Sequence, residues 1–154
     1  MSHIHVLLRC SVVVFLNDRV LLIGRRDKGD WALPGGTPRP GEDLPTCARR
    51  EVREEAGMLV DPGTCAFIIE TVRPYSERLI DLVFLSPTRP VDHPSFKEDG
   101  LAPAFVPLNE FSAINLRPPL ARHLKKLHDR RNGMVATEYL RHEWTDPATA
   151  GNRQ

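Results

Sequence analysis

The segment DLPTCARREVREEAG, Asp43 to Gly57, carries its own start, stop and buried face, so the rest of the chain must be built around it. Asp43 suits a helix N-cap, because its side-chain oxygen can accept from a first-turn amide that has no intrahelical partner. Pro45 is tolerated in that first turn, where a missing N–H costs nothing. Gly57 stands where a left-handed C-terminal cap is needed, and the spacing predicts a helix over 44–56, about three to four turns. Leu44, Ala48, Val52 and Ala56 recur every fourth residue and form an apolar stripe that must pack on another layer. Glu51, Glu54 and Glu55 project within an arc of roughly 100° on the same helix, with Glu55 at the edge of the stripe. Carboxylates crowded beside a buried seam repel one another and are costly as bare anions. Two readings fit: a solvated face offset by Arg50 and Arg53, or a cage for a hard cation such as Mg²⁺, which takes oxygen ligands.

Around this helix the sequence reads as strands. Val6 to Leu16 is rich in β-branched residues and leucine, and VLLIGRR follows the turn formers Asn17 and Asp18, which predicts a β-hairpin. Asp27 to Asp43 is too rich in Gly, Pro and charge for a helix and predicts a loop, with a short extended piece near Ala32 and Leu33. CAFIIETVRPY and RLIDLVFLSP predict two further strands with a turn near Ser76, Glu77 and Arg78. An irregular stretch from Pro87 to Pro103 precedes a short strand, AFVPL. LRPPLARHLKKLHDRR places Leu116, Leu120, His123 or Leu124, and Leu127 at helical spacing, with two prolines at its opening, and predicts an amphipathic helix with a solvated basic face. Strands flanked by two principal helices imply an α/β or α+β sandwich with a mixed sheet. Residues 1–144 read as one domain, and 145–154 as a polar, frayed tail.

Charge narrows the partners. Twenty-one Lys plus Arg against twenty Asp plus Glu leave a formal charge of +1, so no global field draws the protein to nucleic acid or an acidic membrane. Cys10, Cys47 and Cys65 lie in apolar or helical contexts without metal-ligand spacing, which fits reduced thiols and a cytoplasmic protein. The run CSVVVFL ends at Asn17, short of the ~20 residues that span a bilayer, and it lacks the charged leader and cleavage site of a signal peptide. His93, His123, His128 and His142 show no ligand spacing either.

Written out, the helix and its approach run Gly36, five residues, Glu42, seven residues, Arg50, Glu51, Val52, one residue, Glu54, Glu55, one residue, Gly57 and Met58. At every defined position this resembles the signature of the Nudix hydrolases, which split nucleoside diphosphates linked to another moiety. WALPGG from Trp31 and FVPLNEF from Phe105 are similar to the family's approach to the signature and its late strand. The resemblance spans about Val6 to Phe111 and implies the Nudix α/β/α sandwich. It also implies a Mg²⁺-dependent hydrolase, with Mn²⁺ as a substitute, acting on a small nucleotide substrate.

By this similarity Glu54, Glu55, Glu51 and the Gly36 carbonyl are the metal ligands, and Arg50 orients a carboxylate, with Glu42 as its partner. The general base falls to Glu51, Glu54 or Glu98, with Asp99 and Glu110 behind them. From the residues themselves, Arg26 at the end of the second strand reads either as a phosphate contact or as a solubilising charge, and Trp31 and Tyr75 either as stacking residues for the substrate or as core packing. A Nudix-type sensor without turnover is the main rival, although such domains usually lose box glutamates and this chain keeps them all. An RNA-binding or decapping protein would want a basic surface and further modules. The compact length favours a MutT-like nucleoside triphosphate pyrophosphohydrolase, and a homodimer through the apolar strands or the C-terminal region is compatible with the sequence.

Overall fold

The computed structural model describes residues 3–75, 77–87, 89–90, 93–95 and 99–143. Nine strands and two helices follow the order β1 (His5–Val13), β2 (Phe15–Leu16), β3 (Arg19–Arg25), β4 (Asp30–Ala32), β5 (Gly35–Gly36), α1 (Leu44–Ala56), β6 (Thr64–Val72), β7 (Glu77–Leu85), β8 (Leu101–Pro107), a short 3₁₀ turn (Leu108–Ala113), α2 (Ala121–Arg130) and β9 (Glu138–Glu143) among these residues. One mixed sheet runs β5-β1-β7-β6-β9, with β1·β7 and β6·β9 parallel. The second sheet is antiparallel and centres on β3, which pairs β2, β4 and β8.

Alternation of side chains along the strands divides the core in two. Cys10, Val12, Leu21 and Ile23 pack with the apolar stripe of α1. Val13, Val20 and Leu22 instead join Phe67, Val83 and the α2 residues Leu124 and Leu127. Each fully buried Val, Leu or Phe contributes about 1.5–3 kcal/mol of burial free energy, so both faces of the strands need a covering helix. This is the α/β/α sandwich with a mixed sheet expected from the sequence.

The helix limits agree with the letters. Asp43 Oδ1 accepts from the Thr46 amide at 2.8 Å, and Gly57 at φ 66° donates its N–H to the Arg53 carbonyl. The first hairpin is smaller than expected. Asn17 and Asp18 do form the turn, but only Phe15 and Leu16 pair with β3, while β1 leaves for the other sheet and lies beside β7. A single apolar run thus serves two sheets. The late strand begins earlier than expected, at Leu101 with Pro103 inside it. Proline is acceptable there because β8 pairs with β3 alone and its outer edge needs no N–H from that residue. Strand β9 was not expected at all, and the expected 145–154 tail lies outside the described residues. Among the described residues no helix is long and apolar enough to cross a membrane.

Candidate active site

The loop before α1 and the helix itself meet at two glycines. β5 lies against β1, with Gly35 opposite Ser11 and Gly36 opposite Cys10. A Cβ on Gly35 would stand 2.4 Å from the Cys10 carbonyl oxygen, so only glycine lets this strand seat. A Cβ on Gly36 would stand 2.4 Å from the Glu51 carboxyl carbon. The backbone is therefore pressed against the carboxylate helix on one side and the sheet on the other.

Arg50 organises the carboxylates. Its Nε and Nη2 donate to the two oxygens of Glu42 at 2.8 and 2.9 Å, a bidentate pair. Its Nη1 donates to Glu51 Oε1 at 2.8 Å and to Glu54 Oε2 at 3.1 Å, and Nη2 also reaches the Thr37 carbonyl. The guanidinium holds Glu42 down to about 2, chiefly through that hydrogen bond. The expected Arg50–Glu42 partnership is present, and one guanidinium also bridges two of the expected metal ligands. Arg39 adds a second cation on Glu54, at 3.2 Å.

Glu55 is the buried member of the three helix glutamates, and its Oε1 accepts from the Gly35 amide at 3.0 Å. Burial pushes its carboxyl up to about 8, against the Gly35 hydrogen bond and the nearby Arg9, with Glu51 adding to the rise. A carboxylate so poorly compensated is suited to receive a cation. Glu51, Glu54, Glu55 and the Gly36 carbonyl offer the hard oxygen donors that Mg²⁺ prefers. Among the described residues no three acidic, thiol or imidazole groups already converge as a cage, since Arg50 stands between Glu51 and Glu54. Cys47 donates to the Gly36 carbonyl at 3.6 Å, and burial raises its thiol to about 12, so it remains a neutral packing group.

The other expected residues are scattered. Arg25 is tied to Asp30 by two hydrogen bonds of 2.6 Å, and Arg26 is exposed beyond the end of β3. The Trp31 ring covers Gly24, where a Cβ would meet it at 3.2 Å, and its backbone is clamped between Asn115 and Arg117. Tyr75 is fully exposed beside the β6–β7 turn, at φ 62°. Glu98 lies outside the described residues; Asp99 precedes β8, and Glu110 is exposed in the 3₁₀ turn.

A further group escaped the sequence reading. Asp81 is buried in the middle of β7, accepts from Ser11 Oγ at 2.8 Å, and lies 3.6 Å from Arg9 Nε. Arg9 Nη2 donates to the Leu33 carbonyl at 3.2 Å, just before β5. A lone acid inside the apolar run RLIDLVFL was the signal available for it.

The NUDIX domain family matches this chain over residues 7–129. The mouse protein named 8-oxo-dGDP phosphatase NUDT18 is 46% identical over 68 residues, 40% of this chain and 21% of that protein. This chain therefore covers about a fifth of that relative's length. The MutT protein of Bacillus halodurans superposes with a TM-score of 0.75 at 20% identity, over 92% of each chain. The MutT protein of Methanosarcina mazei Go1 gives 0.70 at 22% identity, over 87% of this chain and all of its own. At these identities the structural likeness speaks for the fold.

Proposed function

The chain belongs to the Nudix family, and on that premise we propose that it is a divalent-cation-dependent hydrolase that cleaves the diphosphate linkage of a nucleoside triphosphate or a related nucleotide. The observation that carries this reading is the clustering of Glu42, Glu51, Glu54 and Glu55 around Arg50 and the Gly35–Gly36 strand. A surface ion-pair helix has no use for a buried carboxylate pushed up to about 8, nor for a glycine pressed on a glutamate. The name of the mouse relative, an 8-oxo-dGDP phosphatase, adds weight to a small nucleotide substrate.

A diphosphate repels nucleophiles through its own charge, so hydrolysis needs cations at the bridging oxygens and a water held in line with phosphorus. Mg²⁺, with Mn²⁺ as a substitute, would be held by Glu51, Glu54, Glu55 and the Gly36 carbonyl, and when bound would supply that charge neutralisation. Arg50 fixes the rotamers of Glu42 and Glu51, so the carboxylates are placed before substrate arrives. The proton of the attacking water passes to a carboxylate, either Glu51 or Glu54 of the helix or Glu98. Arg26 contacts the phosphates from the end of β3.

The test is phosphate release, with Mg²⁺ and with EDTA, across nucleoside triphosphates, oxidised nucleotides, ADP-ribose, nucleotide sugars and dinucleoside polyphosphates, with coupling phosphatases to reveal the products. Metal-dependent turnover of one class is expected. Glu54→Gln should lower kcat at least a hundredfold and weaken metal affinity while the fold persists. Glu98→Gln should lower kcat with metal affinity unchanged, and a wild-type rate in that variant would return the base to the helix. Silence across the panel would sink the hydrolase reading in favour of a sensor.

A further inference from the structure

β5 is two glycines long, Gly35 and Gly36, so the strand that carries the Gly36 carbonyl has no side chain of its own to seat it. Much of its seating comes from β1. The Val12 amide donates to the Pro34 carbonyl at 3.0 Å, and Arg9 Nη2 donates to the Leu33 carbonyl at 3.2 Å. The Leu33 side chain is buried in the core, which fixes where the segment starts but not where its carbonyl points. Pro34 then stiffens the link, because its ring locks φ and restricts the residue before it. A turn imposed on the Leu33 carbonyl is therefore passed on to Gly35 instead of being absorbed between them.

Arg9 is itself docked. Its Nε donates to Ser11 Oγ at 3.2 Å and lies 3.6 Å from Asp81 Oδ2, and Ser11 Oγ donates to Asp81 Oδ1 at 2.8 Å. Asp81 stands opposite Arg9 across the parallel β1–β7 pair and is 7% exposed. Stability does not require this arrangement, since a buried ion pair is commonly replaceable by apolar residues at no loss. An apolar pair could not, however, aim a donor at the Leu33 carbonyl. Downstream of that carbonyl lie two groups that the candidate site uses: the Gly35 amide, which donates to Glu55 Oε1 at 3.0 Å, and the Gly36 carbonyl.

We infer that Arg9, docked by Ser11 and Asp81, is a positioning residue: it sets the Leu33–Gly36 segment, so that the Gly35 amide orients Glu55 and the Gly36 carbonyl is presented as a cation ligand. Its role rests on the divalent-cation site of the proposed hydrolase and adds the residues of the sheet that support that site. Charge and position make opposite demands here. Arg9 is a cation near Glu55, so by Coulomb's law alone its removal would strengthen the binding of a divalent cation. Positioning requires that its removal weaken binding.

The experiment uses the full chain and Mn²⁺ alone, titrated by electron paramagnetic resonance of the free ion, so binding is read without turnover. Arg9→Met keeps an apolar stem and removes the donors, and should weaken Mn²⁺ binding by about 10- to 100-fold, the range for residues that orient metal ligands. Ser11→Ala should act in the same direction. Combining the two should lose no more than Arg9→Met alone, because both act through one guanidinium. Breaking a buried pair on one side is itself destabilising, so Arg9→Met is also made together with Asp81→Leu. That apolar pair should melt close to the wild type and still bind Mn²⁺ weakly. Unchanged or tighter Mn²⁺ binding in either Ser11→Ala or the apolar pair would overturn the inference and leave the cation site intact. No Mn²⁺ binding by the wild type would remove that site and the inference with it. A wild type that binds Mn²⁺ tightly, with both variants weakened and no nucleotide hydrolysed, would uphold the positioning role and remove the hydrolase reading alone.

Discussion

Gly35 and Gly36 are neighbours under different constraints, and substitution separates them. A Cβ on Gly35 meets backbone, the Cys10 carbonyl oxygen at 2.4 Å and Ser11 Cα at 2.8 Å, which cannot move without breaking the β1–β5 pairing. A Cβ on Gly36 meets the far end of the flexible Glu51 side chain. Gly35→Ala should therefore lose about 1–3 kcal/mol of stability, as overpacking does. Gly36→Ala should melt near the wild type yet lose most turnover, because Glu51 is pushed off its place on Arg50. Melting curves and kcat measured side by side check both, and a reversed pattern would refute the assignment of roles. Asp81 makes a second residue-scale prediction. Burial raises its carboxyl above the usual 3.8, so between that value and its folded-state pKa the native protein holds a proton the unfolded chain has released. Stability contributed at this site thus falls as pH rises through that window. Asp81→Asn should remove this slope from a plot of unfolding free energy against pH, and an unchanged slope would place it elsewhere. The contact between Ser11 and Asp81 was not legible in the letters, because the two are 70 residues apart and only the parallel pairing of β1 with β7 joins them.

At the scale of elements, α1 was legible almost to the residue because its determinants are local: a capping aspartate, a first-turn proline, an apolar stripe and a terminal glycine. Gly57→Ala, at φ 66°, should cost about 1–2 kcal/mol, seen as a lower denaturation midpoint with an unchanged slope. The strands were legible as strands but not as neighbours. Val6 to Leu16 reads as one arm of a hairpin, and nothing within it announces that it changes sheets near Val14. The two-residue strand β5 hides in a Gly-Pro loop, since its pairing depends on the absence of side chains, not on their pattern. β9 owes its pairing to β6, far back in the chain, and β8 carries a proline that argues against a strand until its edge position is known. The acidic cluster was legible as a cluster; that Arg50 would hold Glu42, Glu51 and Glu54 at once required the folded loop.

At the scale of the whole molecule, the sandwich leaves the carboxylate helix packed by its apolar stripe whether or not a cation is present. A cation that binds the native protein and not the unfolded chain should add about 2.7 kcal/mol at a hundred times its dissociation constant. Thermal melts with Mg²⁺ should therefore shift upward, and the shift should be lost in Glu54→Gln; an equal shift in both proteins would place the ion elsewhere. Arg50 sets what happens when the ion is withdrawn. By standing between Glu51 and Glu54 the guanidinium acts as a resident counter-charge, so under the proposed function chelation would take away chemistry and leave architecture. A cell short of magnesium would then hold a dormant reserve of intact protein, ready to resume work on resupply without a new round of synthesis.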